Sequence, residues 1–162
     1  MMSKMVPNSE SSVPELVFTH LVNAAPDTVY RAWTDPKRLV QWWGPHAFTL
    51  SISRMDVRVG GLWEYVLQGP DGTQYPNVAV FEELDPPHRI MFHNSGGHVD
   101  DHHLTCRMIV LFTEQAGKTH IRLQMQFETI EALERAASRG AKKGGEQSLQ
   151  RLASILDVEM SA

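Results

Sequence analysis

From Glu131 to Val158 the residues Leu133, Ala137, Ala141, Gly145, Leu149, Leu152, Ala153 and Leu156, with Met160 just beyond, return at helical spacing. Glu134, Arg135, Arg139, Lys142, Lys143 and Arg151 lie off that stripe. The pattern predicts an amphipathic helix with one face to bury, roughly 40 Å long at about 1.5 Å per residue, enough to lie across a small sheet. The stripe is bulky at both ends and slim in the middle, at Ala137, Ala141, Gly144, Gly145 and Ser148. A glycine inside a helix costs about 1 kcal/mol relative to alanine, so helix stability does not account for Gly144 and Gly145. Either a neighbouring group packs close at this waist, or the ends hold the helix off the sheet and a cavity lies beneath. A third arrangement breaks the segment at Gly140 or Gly144 into two shorter helices.

With 162 residues, 42% hydrophobic and 21% charged, the chain is long enough to bury roughly two-thirds of its unfolded surface around one core. One domain is expected over residues 15–160, preceded by a flexible tail, 1–14, which carries no apolar run and so reads as neither signal peptide nor membrane helix. The net charge is −4 and the basic residues are scattered, which excludes the electrostatic footprint of a nucleic-acid binder. Nowhere does an apolar run reach the roughly 18 residues of a membrane span. Cys106 is the only cysteine; an internal disulfide is excluded, and a reducing, cytoplasmic setting fits.

Ahead of the terminal helix the chain reads as one strand, two short helices and six consecutive antiparallel strands. Glu15 to Val22 is the first strand. Ala25-Pro26-Asp27 opens a helix, with proline where its missing N–H does no harm, and Asp35-Pro36 ends it and starts another. Trp42-Trp43-Gly44-Pro45 follows, and at least one of these indoles is expected to be buried. The apolar parity then switches near Ser53 and Arg54, which predicts a bulge. Strands at Leu62–Gln68, Gln74–Leu84, His88–His93, Leu104–Thr113 and Thr119–Glu128 are separated by turns, with an irregular loop after His93. In the last strand Ile121, Leu123, Met125 and Phe127 alternate with His120, Arg122, Gln124 and Gln126, as in an antiparallel sheet covered on one face.

Several of these segments together resemble a known family. Ala25-Pro26, Val29-Tyr30-Arg31-Ala32-Trp33-Thr34-Asp35-Pro36 and Gln41-Trp42-Trp43-Gly44-Pro45 are similar to the opening of bacterial proteins of the activator of heat-shock-protein-90 ATPase homologue (AHSA-type) family, within the SRPBCC or START-like superfamily. Asp56 to Trp63, Gly69-Pro70-Asp71-Gly72, Leu84 to Ile90 and Glu146-Gln147-Ser148-Leu149-Gln150-Arg151-Leu152 extend the resemblance from about Glu15 to Leu156. It implies an α+β helix-grip fold, a curved antiparallel sheet wrapped around a long C-terminal helix with an apolar cavity between them. One departure stands out: similar proteins usually carry Gly-Trp where this chain has Gly144-Gly145, which either enlarges the cavity or lets the helix sit closer. The resemblance implies binding of a small apolar ligand (lipid, aromatic or polyketide-like), or association with a chaperone.

The inward strand residues Trp43, Phe48, Trp63, Tyr65, Phe92, Met108, Val110, Met125 and Phe127, closed over by Ala141, Gly145, Ser148, Leu149 and Leu152, are the expected ligand wall; each is equally an ordinary core residue. Arg58 and Arg107 either reach a ligand carboxylate or pair with Asp56 or Glu64. His93, His98, Asp100, Asp101, His102 and His103 suit a divalent metal by chemistry, but no spacing among them fixes a tetrahedral site, so a solvated loop is expected and no metal. A cyclase- or hydrolase-like role for His93 or His102 at the pocket mouth is the enzymatic alternative. No catalytic residue is assigned: Cys106 has no evident base, and no nucleophile elbow or phosphate loop occurs. No cofactor is expected; homodimerisation through exposed strand or helix surface is compatible with the sequence.

Overall fold

The computed structural model of the chain describes residues 13–99 and 102–161. In chain order the elements are β1 (Glu15–Val22), α1 (Pro26–Thr34), α2 (Pro36–Leu39), β2 (Thr49–Met55), β3 (Leu62–Gln68), β4 (Gln74–Asp85), β5 (Arg89–Val99), β6 (His102–Gln115), β7 (Lys118–Gln126), α3 (Ile130–Ser138) and α4 (Ala141–Ser161). Turn chemistry dictates the meander from β2 to β7, and β1 returns beside β7. The result is one seven-stranded antiparallel sheet of order β1-β7-β6-β5-β4-β3-β2. It is curved and open, and its inner face carries the C-terminal helix, which is the helix-grip architecture.

Local signals explain most boundaries. Pro26 stands in the first turn of α1 with Asp27 beside it. Asp35 closes α1 and caps α2, its carboxylate accepting from the Lys37 N–H at 3.0 Å. The parity switch in β2 is a register shift between Ile52 and Arg54. Both indoles of the Trp42-Trp43 pair are buried, and the Trp42 Nε1–H donates to the Ala32 carbonyl at 3.0 Å.

Two expectations are corrected, and of the arrangements open to the terminal segment the broken one is realised. The chain after His93 is not a loop: β5 continues to Val99 and β6 begins at His102, with a register shift between Gly96 and Val99. The tail does not reach Pro14, whose carbonyl accepts the Phe127 N–H at 2.8 Å; residues 1–12 lie outside the described chain. The terminal helix is two helices. Thr129 caps α3 by accepting from the Ala132 N–H at 3.0 Å, and the break falls at Gly140, whose φ of +89° is left-handed. Glycine adopts that conformation without a Cβ penalty, and it commonly ends helices. α4 is therefore 21 residues long, about 30 Å.

One half of the inner face is packed solid. Trp33 meets Trp42 with ring centroids 4.7 Å apart and Phe112 at 6.2 Å, and Trp63 meets Phe92 at 5.4 Å. Leu149, Leu152 and Leu156 of α4 complete this core, each at most 1% exposed. Burying such side chains contributes roughly 1.5–3 kcal/mol apiece.

Candidate functional site

The other half of the inner face is hollow. A cavity of about 280 Å³, partly open to solvent, lies between the sheet, the Gly44–Phe48 loop and the α3–α4 break. Its wall is mostly apolar: Trp43, Pro45, Phe48, Leu67, Tyr75, Met108, Met125 and Phe127 face it, with Ala136, Gly140, Ala141, Gly144 and Gly145 above. The residue of the break is thus also a residue of the wall.

The loop that closes one side is clasped by α4. The Gly44 N–H donates to Ser148 Oγ at 3.0 Å, and that hydroxyl in turn donates to the Gly144 carbonyl at 2.9 Å. The His46 N–H donates to Gln147 Oε1 at 3.0 Å. Arg151 Nη1 donates to the carbonyls of Gly44 and Pro45, both at 3.0 Å, and Nη2 to that of Gln41 at 3.3 Å. Desolvation lowers the pKa of the Arg151 guanidinium from its ordinary value; a guanidinium nonetheless remains charged, and its planar fork suits a cluster of carbonyls. Gly44 and Ala47 have φ of +116° and +70°. A non-glycine residue there costs on the order of 1 kcal/mol or more, which the clasp offsets.

A polar strip crosses the sheet wall of the cavity. The Tyr65 O–H donates to Asn94 Oδ1 at 2.7 Å, Asn94 Nδ2 donates to Asn77 Oδ1 at 3.1 Å, and Asn77 Nδ2 donates to the Tyr75 carbonyl at 2.8 Å. Burial raises the Tyr65 phenol well above the ordinary tyrosine value; hydrogen bonding with Trp43 and Asn94 counters this only in part. Burial likewise pushes the Cys106 thiol, also on the wall, up to about 12.

The sequence segments that build this clasp and cavity fall within a match to one protein family. Its sequence model, described as activator of Hsp90 ATPase homolog 1-like protein, matches residues 23–157. The chain belongs to this family. Its membership supports a ligand-binding or chaperone-associated role in general. No curated protein matches the sequence. Among solved structures, the chain is similar to a protein of Mycobacterium smegmatis, with a TM-score of 0.79 and 23% identity over 90% of this chain and 96% of that one. It is similar to an Arthrobacter aurescens protein with a TM-score of 0.83 and 22% identity, covering 91% of each chain. A third similar structure is an AHSA1 protein of Silicibacter pomeroyi, at a TM-score of 0.72 and 22% identity over 90% of this chain and 99% of that one. At these identities the likeness speaks for the helix-grip fold alone.

Within this family member the expected wall residues divide. Trp43, Phe48, Tyr65, Met108, Met125, Phe127, Ala141, Gly145 and Ser148 line the cavity. Trp63, Phe92, Val110, Leu149 and Leu152 do not; they are buried in the adjoining solid core. Inward parity is common to both groups, and position along the strand separates them. Asn77 and Asn94 were missed. Each shares the inward parity of its apolar neighbours, Ala79 and Phe92, and that signal was legible for Asn77. Ending the strand at His93 hid Asn94.

The charged candidates lie elsewhere. Arg58 pairs with Asp56 at 2.7 Å, and Arg107 with Glu82 at 2.9 Å, both at the surface. His93 stands opposite Val80 and Arg107, on the parity opposite to the buried Phe92 and Asn94. It therefore faces away from the cavity rather than its mouth. Asp100 and Asp101, and the side chains of His98, His102 and His103, lie outside the described residues; among the described ones no cluster suits a metal ion. No described helix is long and apolar enough to cross a membrane.

Proposed function

We propose that this protein binds a small, mainly apolar molecule in the cavity beneath the N-terminal half of α4. The observation that carries the reading is the hollow itself: native interiors seldom leave space larger than a water molecule unfilled, and this one has about 280 Å³ walled by aromatic and methionine side chains. Ligand pockets begin at roughly 300 Å³, so a guest the size of naphthalene or a short acyl chain fits better than a sterol or a long-chain lipid. Methionine walls adapt to irregular guests. Burial moves the Cys106 thiol further still from its thiolate form, which favours a binding surface over a nucleophile, since the thiolate is the reactive form. The chaperone-associated alternative expects an exposed apolar patch on the sheet's outer face or near Trp42; Trp42 itself is fully buried, while Val17, Leu21 and Val78 are exposed on the strands, so that alternative rests on the outer face and not on the cavity.

Thermal-shift and native mass spectrometry measurements with naphthalene-sized aromatics, palmitate and cholesterol test this. Small aromatics are expected to stabilise the protein, by about 2.7 kcal/mol at a hundredfold excess over the dissociation constant. Ala141→Trp, which fills the cavity roof, should remove that shift while leaving the melting point of the free protein nearly unchanged. Absence of a shift with every compound would sink the proposal.

A further inference from the structure

The polar strip is an expensive way to build a wall. Tyr65, Asn77 and Asn94 are 4%, 9% and 9% exposed, and leucine or valine at these inward positions would avoid the desolvation cost of burying a phenol and two amides. The strip lies where three strands approach closely. Tyr65 on β3 stands opposite Asn77 on β4, which stands opposite Gly96 on β5. Gly96 has φ +142°, and a Cβ there would collide with the Pro76 carbonyl and lie 2.7 Å from Asn77 Cα and 3.0 Å from Asn77 Oδ1. The first two of these atoms are backbone, so only a residue without a side chain lets β5 approach β4 this closely beside the strip.

The direction of the relay decides what it can offer a guest. Each acceptor oxygen of the two amides already takes a hydrogen bond from within the strip. Each primary amide carries two N–H hydrogens, and the relay uses one apiece, toward Asn77 Oδ1 and the Tyr75 carbonyl. Each amide therefore keeps one N–H donor for a guest, and no group of the strip carries formal charge. Among the described lining residues the one cation is Arg139, at the α3–α4 break.

Resting on the reading of the cavity as a binding site, we infer that its ligand is an uncharged molecule with one acceptor oxygen, such as the carbonyl of a ketone, ester or amide. That oxygen meets the spare amide hydrogens of Asn94 and Asn77, and the apolar body lies against Met108, Met125 and Phe127. A carboxylate at the strip would lose its hydration without gaining a charged partner, so acids are disfavoured there.

The test is a titration of the full chain with 2-acetonaphthone, 2-ethylnaphthalene and 2-naphthoate, matched in shape and differing in the polar group, followed by tryptophan fluorescence and NMR shifts. The ketone is expected to bind at least about fivefold more tightly than the hydrocarbon, the difference one good hydrogen bond makes. Asn94→Leu should abolish that preference, so that ketone and hydrocarbon bind alike. Equal binding of ketone and hydrocarbon by the unaltered protein overturns the inference and leaves the cavity reading standing. Tightest binding by 2-naphthoate overturns it in favour of recognition at Arg139. Failure of all three to bind overturns both readings. The comparison of ligands on the unaltered chain requires no variant to fold.

Discussion

The same strands build a solid half and a hollow half of the inner face, and on four of them the change occurs within two residues. On β3 it falls between Trp63 and Tyr65, on β5 between Phe92 and Asn94, on β6 between Val110 and Met108, and on β7 between Leu123 and Met125. α4 follows suit, with Leu149, Leu152 and Leu156 over the solid half and Ala141, Gly144 and Gly145 over the hollow one. Trp43 is the hinge between the two, 5.9 Å from Trp63 by ring centroid and itself on the cavity wall. A binding site and a folding core thus share one scaffold. The solid half supplies stability, so the hollow half is free to leave its volume unfilled.

If that division is real, truncation should cost very different amounts on the two sides. Leu152→Ala, at a fully buried position, is expected to lose about 2–5 kcal/mol, the range for large-to-small changes in a packed core. Met125→Ala, on the wall of an existing hollow, should lose about 1 kcal/mol, because few contacts disappear and no new cavity is created. Urea midpoints of the two variants measure the contrast, and equal losses would show that the hollow half is as tightly packed as the other.

A smaller effect sharpens the comparison at the waist of α4, where two adjacent glycines differ in what surrounds them. A Cβ on Gly145 would lie 2.6 Å from Cζ of the buried Phe18 ring, whereas one on Gly144 would meet only Pro45 Cγ, at 3.3 Å. Overpacking costs about 1–3 kcal/mol, and alanine regains about 1 kcal/mol of helix propensity. Gly145→Ala should therefore destabilise by about 1 kcal/mol and be rescued by Phe18→Leu, while Gly144→Ala should be neutral or stabilise by about 0.5 kcal/mol. Denaturation of the three variants decides it.

The smallest expected effect is on pH dependence. Burial raises the Cys106 thiol from 9.0 to about 12, so the folded state holds a proton that the unfolded chain releases. The associated stability is complete below pH 9 and is lost as pH rises toward 12. Tyr30, pushed up to about 12 by burial and by Asp85, adds to the same fall from the solid half. Cys106→Ala should flatten the decline between pH 9 and 12 without removing it, as read from urea midpoints across that range; an unchanged slope would mean that the thiol is not desolvated.

Much of the architecture was legible because it rests on local signals. The alternation of Ile121, Leu123, Met125 and Phe127, the Gly69–Gly72 turn and the Pro26 and Pro36 helix starts are each decided within a few residues of chain. The site was legible only by halves. Ser148 and Arg151 were visible as part of a motif near the C-terminus, and Trp43-Gly44-Pro45 as another roughly a hundred residues earlier, but nothing along the chain says that the first holds the second. The departure at Gly145 was equally open: the missing side chain could enlarge the pocket or admit a neighbour, and Phe18, on the first strand, takes up the space at that position. At Gly140 the helical periodicity runs through the break undisturbed, because a left-handed residue redirects the axis without altering which residues are apolar.

The amino-acid sequence by itself determined which way the side chains of the regular strands point and where most turns fall, since periodicity, proline and glycine act through the backbone they belong to. Only the tertiary structure decided where the interior is full and where it is empty. A void is set by the summed volumes of residues from β3 to β7, α3, α4 and the Gly44–Phe48 loop, brought together from distant parts of the chain, and no local pattern carries that sum.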